Sequence, residues 1–180
     1  MRELRHKHAA AAGPYRWEGQ TLVIPNKLVE LTFSIFESYF ARGVEVCCFW
    51  YGVHVSGTES AARAVVIPQQ INRPYNFEVP SDGIAAMSIA TRERGWKNLA
   101  QLHTHPDIDV EHSDYDDRQV NSRRALSIVI PNYGTRQEEW LNGAAVHEFQ
   151  NDYWHQLSFS DAKRRVCIVE SGESEIVDIR

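Results

Sequence analysis

The chain has 180 residues, about the length of one domain, and 43% of them are hydrophobic. With its 10 glycines this is the composition of an ordinary globular protein, which excludes a disordered or fibrous chain. The formal net charge of −5 argues against a protein that coats nucleic acid or an anionic membrane. We therefore expect a flexible N-terminal arm over residues 1–14 and a single folded domain over residues 15–180.

The first half of the chain predicts a strand, a helix and two further strands. Apolar residues recur at helical spacing from Leu28 to Phe40. Pro25 before this segment and Gly43 after it are typical of helix boundaries. β-branched and aromatic residues favour the strands. The predicted elements are a strand over 21–24, a helix over 28–40, strands over 44–55 and 64–67, and a loop over 69–80.

The second half alternates strands and helices, and the tail from residue 160 carries no clear pattern. The predicted elements are a helix from 81 or 82 to 94, a strand over 99–105, a helix over 113–123, and strands over 126–130, 144–149 and 153–159. This order predicts an α/β (α+β layered) fold, in which helices flank a mixed β-sheet.

The cysteines and the N-terminus indicate a compartment. Cys47 and Cys48 are adjacent, so their side chains would point to opposite sides of a strand, and Cys167 makes the count odd. We expect Cys47 and Cys48 to be small core residues rather than reactive thiols. The apolar run near the N-terminus is too short for a signal peptide or a membrane-spanning helix. These features favour a cytoplasmic protein with no membrane partner.

One segment combines residue types that carry chemistry. His103 and His105 are two apart on a predicted strand and share a face, and Pro106 ends that strand. Ser113 and Asp116 are three apart at the start of a predicted helix and share a face there. Two imidazoles and one carboxylate are a ligand set suited to Zn²⁺, and a fourth position left open to water is typical of a catalytic site.

Each part of this pattern has a simpler explanation. His103 and His105 alone are typical of ordinary strand histidines, and Ser113 with Asp116 also matches a capping box. Their combination lowers the chance expectation to roughly one in ten thousand. Rival ligands lie in the same loop, although we expect them to be solvated loop residues: Asp107, Asp109, Glu111, His112 and Asp114. The basic run 163–165 is likewise expected to be a solvated face.

The segment from Gln101 to Asp116 resembles the signature of the JAMM (JAB1/MPN/Mov34) metalloenzyme family, which is His-x-His-Pro, a short loop and then Ser-x-x-Asp. Family members carry a glutamate on the strand after the first helix, within a run similar to Glu-x-Cys-Gly-x-Leu-x-Gly. Here Glu45 begins the run Glu-Val-Cys-Cys-Phe-Trp-Tyr-Gly, in which Cys48 and Trp50 replace the usual Gly and Leu. The small size and the run over 65–69 look most like the prokaryotic JAB-domain branch.

The resemblance extends from the first helix to about Phe159 and implies a JAB/MPN (cytidine-deaminase-like) domain. It implies that zinc is the cofactor and that His103, His105 and Asp116 bind it. It further implies that Glu45 is the general base and that Ser113 supports the reacting oxygen. Glu45 is the one acid in an otherwise apolar predicted strand, and a buried carboxylate needs a partner.

The resemblance also implies a substrate, which is the peptide or isopeptide bond at the C-terminus of a ubiquitin-like protein. The expected activity is deconjugation or precursor processing, within a bacterial conjugation or antiviral system. The expected partners are the ubiquitin-like tail, its conjugates, and activating and conjugating enzymes. Alternatives are a catalytically silent scaffold of the same fold and a hydrolase for sulfur-carrier proteins or small peptides. A branch linked to DNA is disfavoured by the negative charge, and we expect no nucleic-acid partner.

Overall fold

The structure is a computed structural model that describes residues 13–119, 125–135 and 143–180. Most of the predicted arm and the end of the helix predicted over 113–123 lie outside the described residues. The helices are α1 (Asn26–Phe40), α2 (Ser81–Arg92), α3 (Asp116–Gln119) and α4 (Phe159–Arg165). The strands are β1 (Thr21–Pro25), β2 (Cys47–His54), β3 (Glu59–Ile67), β4 (Ile71–Arg73), β5 (Asn76–Glu78), β6 (Lys97–Thr104), β7 (Leu126–Ile130), β8 (Ala145–Gln150), β9 (Tyr153–Gln156), β10 (Val166–Val169) and β11 (Glu175–Asp178).

Nine of the described strands form one mixed sheet. Its order is β10-β1-β3-β2-β6-β7-β8-β9, and β11 pairs with β3 beyond the end of β1. The pairs β1 with β10, β1 with β3, β3 with β11 and β6 with β7 are parallel, and the remaining pairs in the sheet are antiparallel. The expectation of a mixed sheet with helices packed on it is confirmed. None of the described helices is both long and apolar enough to span a membrane.

The two faces of the sheet have separate apolar cores. Along β2, Cys48 and Trp50 pack with α1 on one face, whereas Cys47 and Phe49 pack with Met87 of α2 on the other. Both cysteines are fully buried, and burial raises the pKa of each thiol, so neither is a ready nucleophile. Their assignment as core residues on opposite sides of a strand is confirmed.

The boundaries of α1 follow the predicted signals. Its apolar positions face the first core, and Pro25 precedes its first residue, where a missing N–H costs nothing. Gly43 lies two residues beyond the C-cap with φ +59°, a left-handed conformation that glycine adopts without strain.

Several sequence expectations are wrong. The predicted loop over 69–80 contains the hairpin of β4 and β5, whose three-residue strands are too short for periodicity to show. The predicted strand over 153–159 ends at Gln156, because Ser158 caps α4 and its hydroxyl accepts from the Asp161 N–H at 3.2 Å. Arg165 is buried rather than solvated, because its Nε donates to Oε2 of Glu148 at 2.9 Å.

Glu45 lies just before β2, not on it. Its N–H donates to the carbonyl of Arg73 at 2.9 Å, and its own carbonyl accepts from Nδ2 of Asn72 at 2.7 Å. The backbone at Glu45 is therefore paired with the β4–β5 hairpin instead of with β3. Ser113 likewise precedes α3, which begins at Asp116.

Candidate metal centre

Three side chains meet where β6 ends. His103 lies near the end of β6, His105 lies one residue beyond the strand, and Asp116 is the first residue of α3. Nε2 of His103 is 3.4 Å from Oδ1 of Asp116, and Nε2 of His105 is 3.5 Å from Oδ2. One ligand atom from each residue lies within 4.8 Å of the others. The structure thus brings the three predicted ligands together, and their binding of a metal stays a prediction.

The backbone around His105 is held by its neighbours on both sides. Its N–H donates to the carbonyl of Ile130 at 2.9 Å, and its carbonyl accepts from the N–H of Tyr133 at 2.7 Å. Nδ1 of His105 lies 2.9 Å from the carbonyl of Asp109. Because a carbonyl only accepts, Nδ1 carries a hydrogen, and in the neutral ring Nε2 keeps the lone pair with which it could bind a metal.

The residues fit a bound metal ion. His103 is fully buried, yet neither of its ring nitrogens has a hydrogen-bond partner among the described residues. Such a group is costly to bury unless something else occupies its lone pair. Two ligand atoms on a tetrahedral zinc ion are about 3.4 Å apart, since each lies about 2.0–2.1 Å from the metal. The contacts of Asp116 with the two histidines have this spacing.

Charge and burial act against each other within the group. Burial lowers the pKa of His103. Burial also lowers the pKa of His105, but Asp116 and Glu45 outweigh it and the pKa is raised. Burial raises the pKa of Asp116, but His103, His105 and Ser113 together hold that pKa well below its usual range. Asp116 is therefore an anion, which is the form that binds a metal.

Ser113 forms a capping box with Asp116. The Ser113 hydroxyl donates to Oδ2 of Asp116 at 2.6 Å, and the Ser113 N–H donates to the same oxygen at 2.8 Å. In return, Oγ of Ser113 accepts from the Asp116 N–H at 3.2 Å. The simpler explanation of this pair is thus correct, and it does not conflict with a functional one. In this arrangement the hydroxyl hydrogen points to Asp116, so Ser113 must rotate before it can donate to a substrate oxygen.

Glu45 lies in the same cavity as His105, Ser113 and Asp116. Only 4% of its surface is exposed. Burial raises the pKa of its carboxyl group to about 8, with smaller effects from His105, which lowers the pKa, and from Asp116 and Asp107, which raise it. An acid tuned in this way can carry a proton in either direction near neutral pH.

The cavity is acidic. Its volume is about 720 Å³, and no Lys or Arg lines it among the described residues. Six carboxylates line it: Glu45, Asp107, Asp109, Glu111, Asp114 and Asp116. A separate cavity of about 490 Å³ at the opposite end of the sheet contains none of the five predicted site residues.

Two of the rival acidic residues accept hydrogen bonds from the backbone of their own loop. Oδ1 of Asp107 accepts from the Asp109 N–H, and Oδ1 of Asp109 accepts from the Glu111 N–H, both at 2.9 Å. Neither belongs to the group that could hold a metal, nor do Glu111, Asp114 and His112 among the described residues. His147 escaped the sequence analysis, although it stacks on His112 beside the site. A histidine on a buried strand gives no sequence signal that separates such a contact from ordinary packing.

Comparisons with known proteins agree with this geometry. The chain is 24% identical over 154 residues to the probable metalloprotease y4jG of Sinorhizobium fredii, covering 83% of this chain and 94% of that protein. This similarity and the buried group of His103, His105 and Asp116 together support a metal-dependent hydrolase. The fold is similar to the solution structure of protein DSY2949 from Desulfitobacterium hafniense, with a TM-score of 0.64, 15% identity, and coverage of 84% of this chain and 94% of that one. No family model matches the chain.

Proposed function

We propose that the protein is a zinc-dependent peptidase or isopeptidase of the JAMM type that hydrolyses the bond at the C-terminus of a ubiquitin-like protein. The observation that carries this proposal is the buried group of His103, His105 and Asp116, in which His103 lacks a hydrogen-bond partner among the described residues and Glu45 lines the adjoining cavity. The similarity to a probable metalloprotease supports metal-dependent hydrolysis. The ubiquitin-like substrate comes from the motif resemblance.

The chain's own residues account for the movement of protons. Zinc bound at this site would supply Lewis acidity, which lowers the pKa of a water molecule to about 7 and polarises a carbonyl. Glu45 takes a proton from the attacking water while the water oxygen forms a bond to the substrate carbonyl carbon. When the C–N bond breaks, Glu45 gives that proton to the leaving amine. Ser113, once rotated away from Asp116, donates to the oxygen on which negative charge develops.

The substrate tail would lie along the cavity beside the β4–β5 hairpin. Tyr75 and Asn76 of this hairpin line the cavity, and Tyr75 is 81% exposed. An extended peptide can pair its backbone with such a strand, while a narrow site selects small residues before the scissile bond. We propose deconjugation or precursor processing in the cytoplasm, in a bacterial system that includes activating and conjugating enzymes and acts in antiviral defence.

Two alternatives make different predictions. A scaffold of the same fold would need neither the metal nor Glu45, whereas this chain retains all five residues of the motif. A hydrolase for sulfur-carrier proteins or small peptides would use the same centre and would differ only in the substrates that it cleaves.

The test uses the full-length protein and fusions of ubiquitin-like proteins encoded near the gene. We expect about one zinc ion per chain and cleavage at the C-terminal end of the ubiquitin-like part. Glu45→Ala should keep the zinc and lose activity by about 10²–10⁴-fold, because general-base catalysis contributes this much. Glu37→Ala is the matched control, since Glu37 is exposed on α1.

The outcomes separate the candidates. If Glu45→Ala cleaves as fast as the parent, Glu45 is not the base. A zinc-free parent that cleaves nothing supports the scaffold. Cleavage of short peptides or sulfur-carrier precursors, with ubiquitin-like fusions left intact, supports the second alternative.

A further inference from the structure

The loop over residues 106–115 connects His105 to Asp116, the first residue of α3. Many side chains of this loop are exposed, with Ile108 exposed to 82%. The His112 side chain is by contrast buried, with 5% of it exposed. The His112 side chain therefore anchors this loop in the protein interior.

His112 bridges α3 and the sheet. Its Nδ1 lies 3.1 Å from Oδ1 of Asp117, which follows Asp116 in α3, and its Nε2 lies 2.9 Å from Oγ of Ser127 in β7. Ser127 pairs in register with Gln101 of β6, two residues before His103. One imidazole ring thus joins the helix that carries one proposed ligand to the strand pair that carries another.

Side chains from β8 and β9 fix the same ring from behind. The His147 ring stacks on His112 with the centroids 4.0 Å apart and the planes inclined by 21°, and its Nε2 lies 2.9 Å from the carbonyl of Val110. The Trp154 ring packs edge-on at 4.9 Å, and its indole N–H donates to the carbonyl of Asp117 at 3.3 Å. These contacts leave the ring little freedom to tilt.

Asp117, His112 and Ser127 have the connectivity of a serine-hydrolase triad. A nucleophile must reach a substrate carbonyl, whereas Ser127 is 2% exposed and does not line the cavity of the metal centre. We infer that His112 is instead a positioning residue, whose two hydrogen bonds fix Asp116 at the proposed metal site. This inference rests on the proposed function.

The test is a titration of the metal-free, full-length protein with Co²⁺, followed by the visible absorption of the bound ion. His112→Phe keeps an aromatic ring in the stack and makes neither hydrogen bond. We expect its Kd for Co²⁺ to rise about tenfold or more, as is typical when a residue that orients a metal ligand is replaced.

The matched control is His155→Phe. His155 is also buried, and its Nε2 lies 3.1 Å from the carbonyl of Gln150, the last residue of β8. Its replacement should leave the Kd for Co²⁺ within about twofold of the parent value, because successive side chains of a strand point to opposite faces and the His155 ring contacts Tyr15 and Tyr153 instead of His112. Thermal unfolding of the metal-free variants reports general destabilisation, so only a selective change in Co²⁺ affinity and absorption supports positioning.

Two milder variants keep the test decisive if His112→Phe does not fold. Ser127→Ala and Asp117→Ala each remove one end of the bridge, and we expect each to raise the Kd by about threefold to tenfold. Co²⁺ affinities equal to that of His155→Phe would overturn the inference. A loss of cleavage by about a thousandfold in Ser127→Ala with unchanged Co²⁺ affinity would overturn it in favour of a serine nucleophile. A parent protein that binds no Co²⁺ overturns both the inference and the proposed function.

Discussion

Two buried polar clusters of this protein differ in whether their polar side chains have hydrogen-bond partners. In the first, Arg165 Nε and the Tyr15 hydroxyl both donate to Oε2 of Glu148, at 2.9 and 3.0 Å. In the second, Nε2 of His103 lies 3.4 Å from Oδ1 of Asp116, and neither ring nitrogen of His103 has a hydrogen-bond partner within the part of the chain that the structure describes. The two charged residues of the first cluster, Glu148 and Arg165, are as buried as His103 and Asp116 of the second.

This difference distinguishes a cluster that stabilises the fold from one that could bind a metal ion. Glu148 and Arg165 form a salt bridge. Together with Tyr15 they connect β8, α4 and the segment before β1. The ring nitrogens of His103 need a further partner beside Asp116, and a bound metal ion would supply it. A variant in one cluster should therefore change stability, and a variant in the other should change metal binding.

The largest effect is expected from His103→Ala. Without this ligand the zinc content of the purified protein should fall to the background level, and cleavage should fall with it. Metal analysis after gel filtration gives the zinc content, and chelator competition gives the affinity. A variant that retains one tightly bound zinc ion per chain would show that His103 is not a ligand.

Arg165→Met should act on stability alone. It leaves the Glu148 carboxylate buried without its cation, which costs about 3–5 kcal/mol of unfolding free energy. Chemical denaturation measures the loss, and the zinc content per folded chain should match that of the parent. The control is Arg164→Met, since the Arg164 side chain is 61% exposed. Equal stabilities of the two variants would mean that the cluster does not stabilise the fold.

The acidic cavity should favour cationic substrates. Besides Glu45 and Asp116, which belong to the proposed centre, four acidic side chains line the cavity: Asp107, Asp109, Glu111 and Asp114. A substrate with Lys or Arg next to the scissile bond should have a kcat/KM about tenfold higher than a neutral isostere at low salt.

This preference should shrink as ionic strength rises, because the screening length falls from about 10 Å at 0.1 M to about 3 Å at 1 M salt. The double variant Asp107→Asn with Asp114→Asn should reduce it in the same way. Equal rates for both substrates at low salt would show that the acids serve only the loop.

The smallest effect concerns pH. Burial, followed by the neighbouring His112, lowers the pKa of His147 well below its usual value. As pH falls below about 6.5, the unfolded chain takes up a proton at His147 while the folded chain does not, so the stability of the fold falls. The slope attributable to this residue is at most about 1.4 kcal/mol per pH unit.

Denaturation of the parent and of His147→Phe between pH 7 and pH 5 measures this contribution. The parent should lose about 1 kcal/mol more than the variant between pH 6.5 and pH 5.5. Parallel stability curves would show that His147 is not held neutral in the fold.

Local patterns predicted much of the fold and the meeting of the site residues. The strand over 126–130 has the predicted bounds, and α1 begins two residues earlier than predicted and ends at Phe40 as predicted. The signals for both, a run of β-branched residues and apolar residues at helical spacing after Pro25, lie within one segment. His103 and His105 share a face for the same reason, and the capping box places Asp116 at the start of α3.

What escaped prediction depends on distant partners. Arg165 belongs to a basic run that looks solvated, and its partner Glu148 comes from a separate segment, β8. Glu45 leaves the strand because the β4–β5 hairpin pairs with its backbone. The stack of His112 on His147 joins residues 35 positions apart, which no local pattern reveals.

The central claim is that His103, His105 and Asp116 share one divalent ion. The most direct measurement is anomalous diffraction at the zinc edge from crystals of the full-length protein grown with zinc. The account predicts one strong peak per chain among these three side chains, and its loss in crystals of His103→Ala. An absent peak, or one bound only by residues elsewhere, would contradict it.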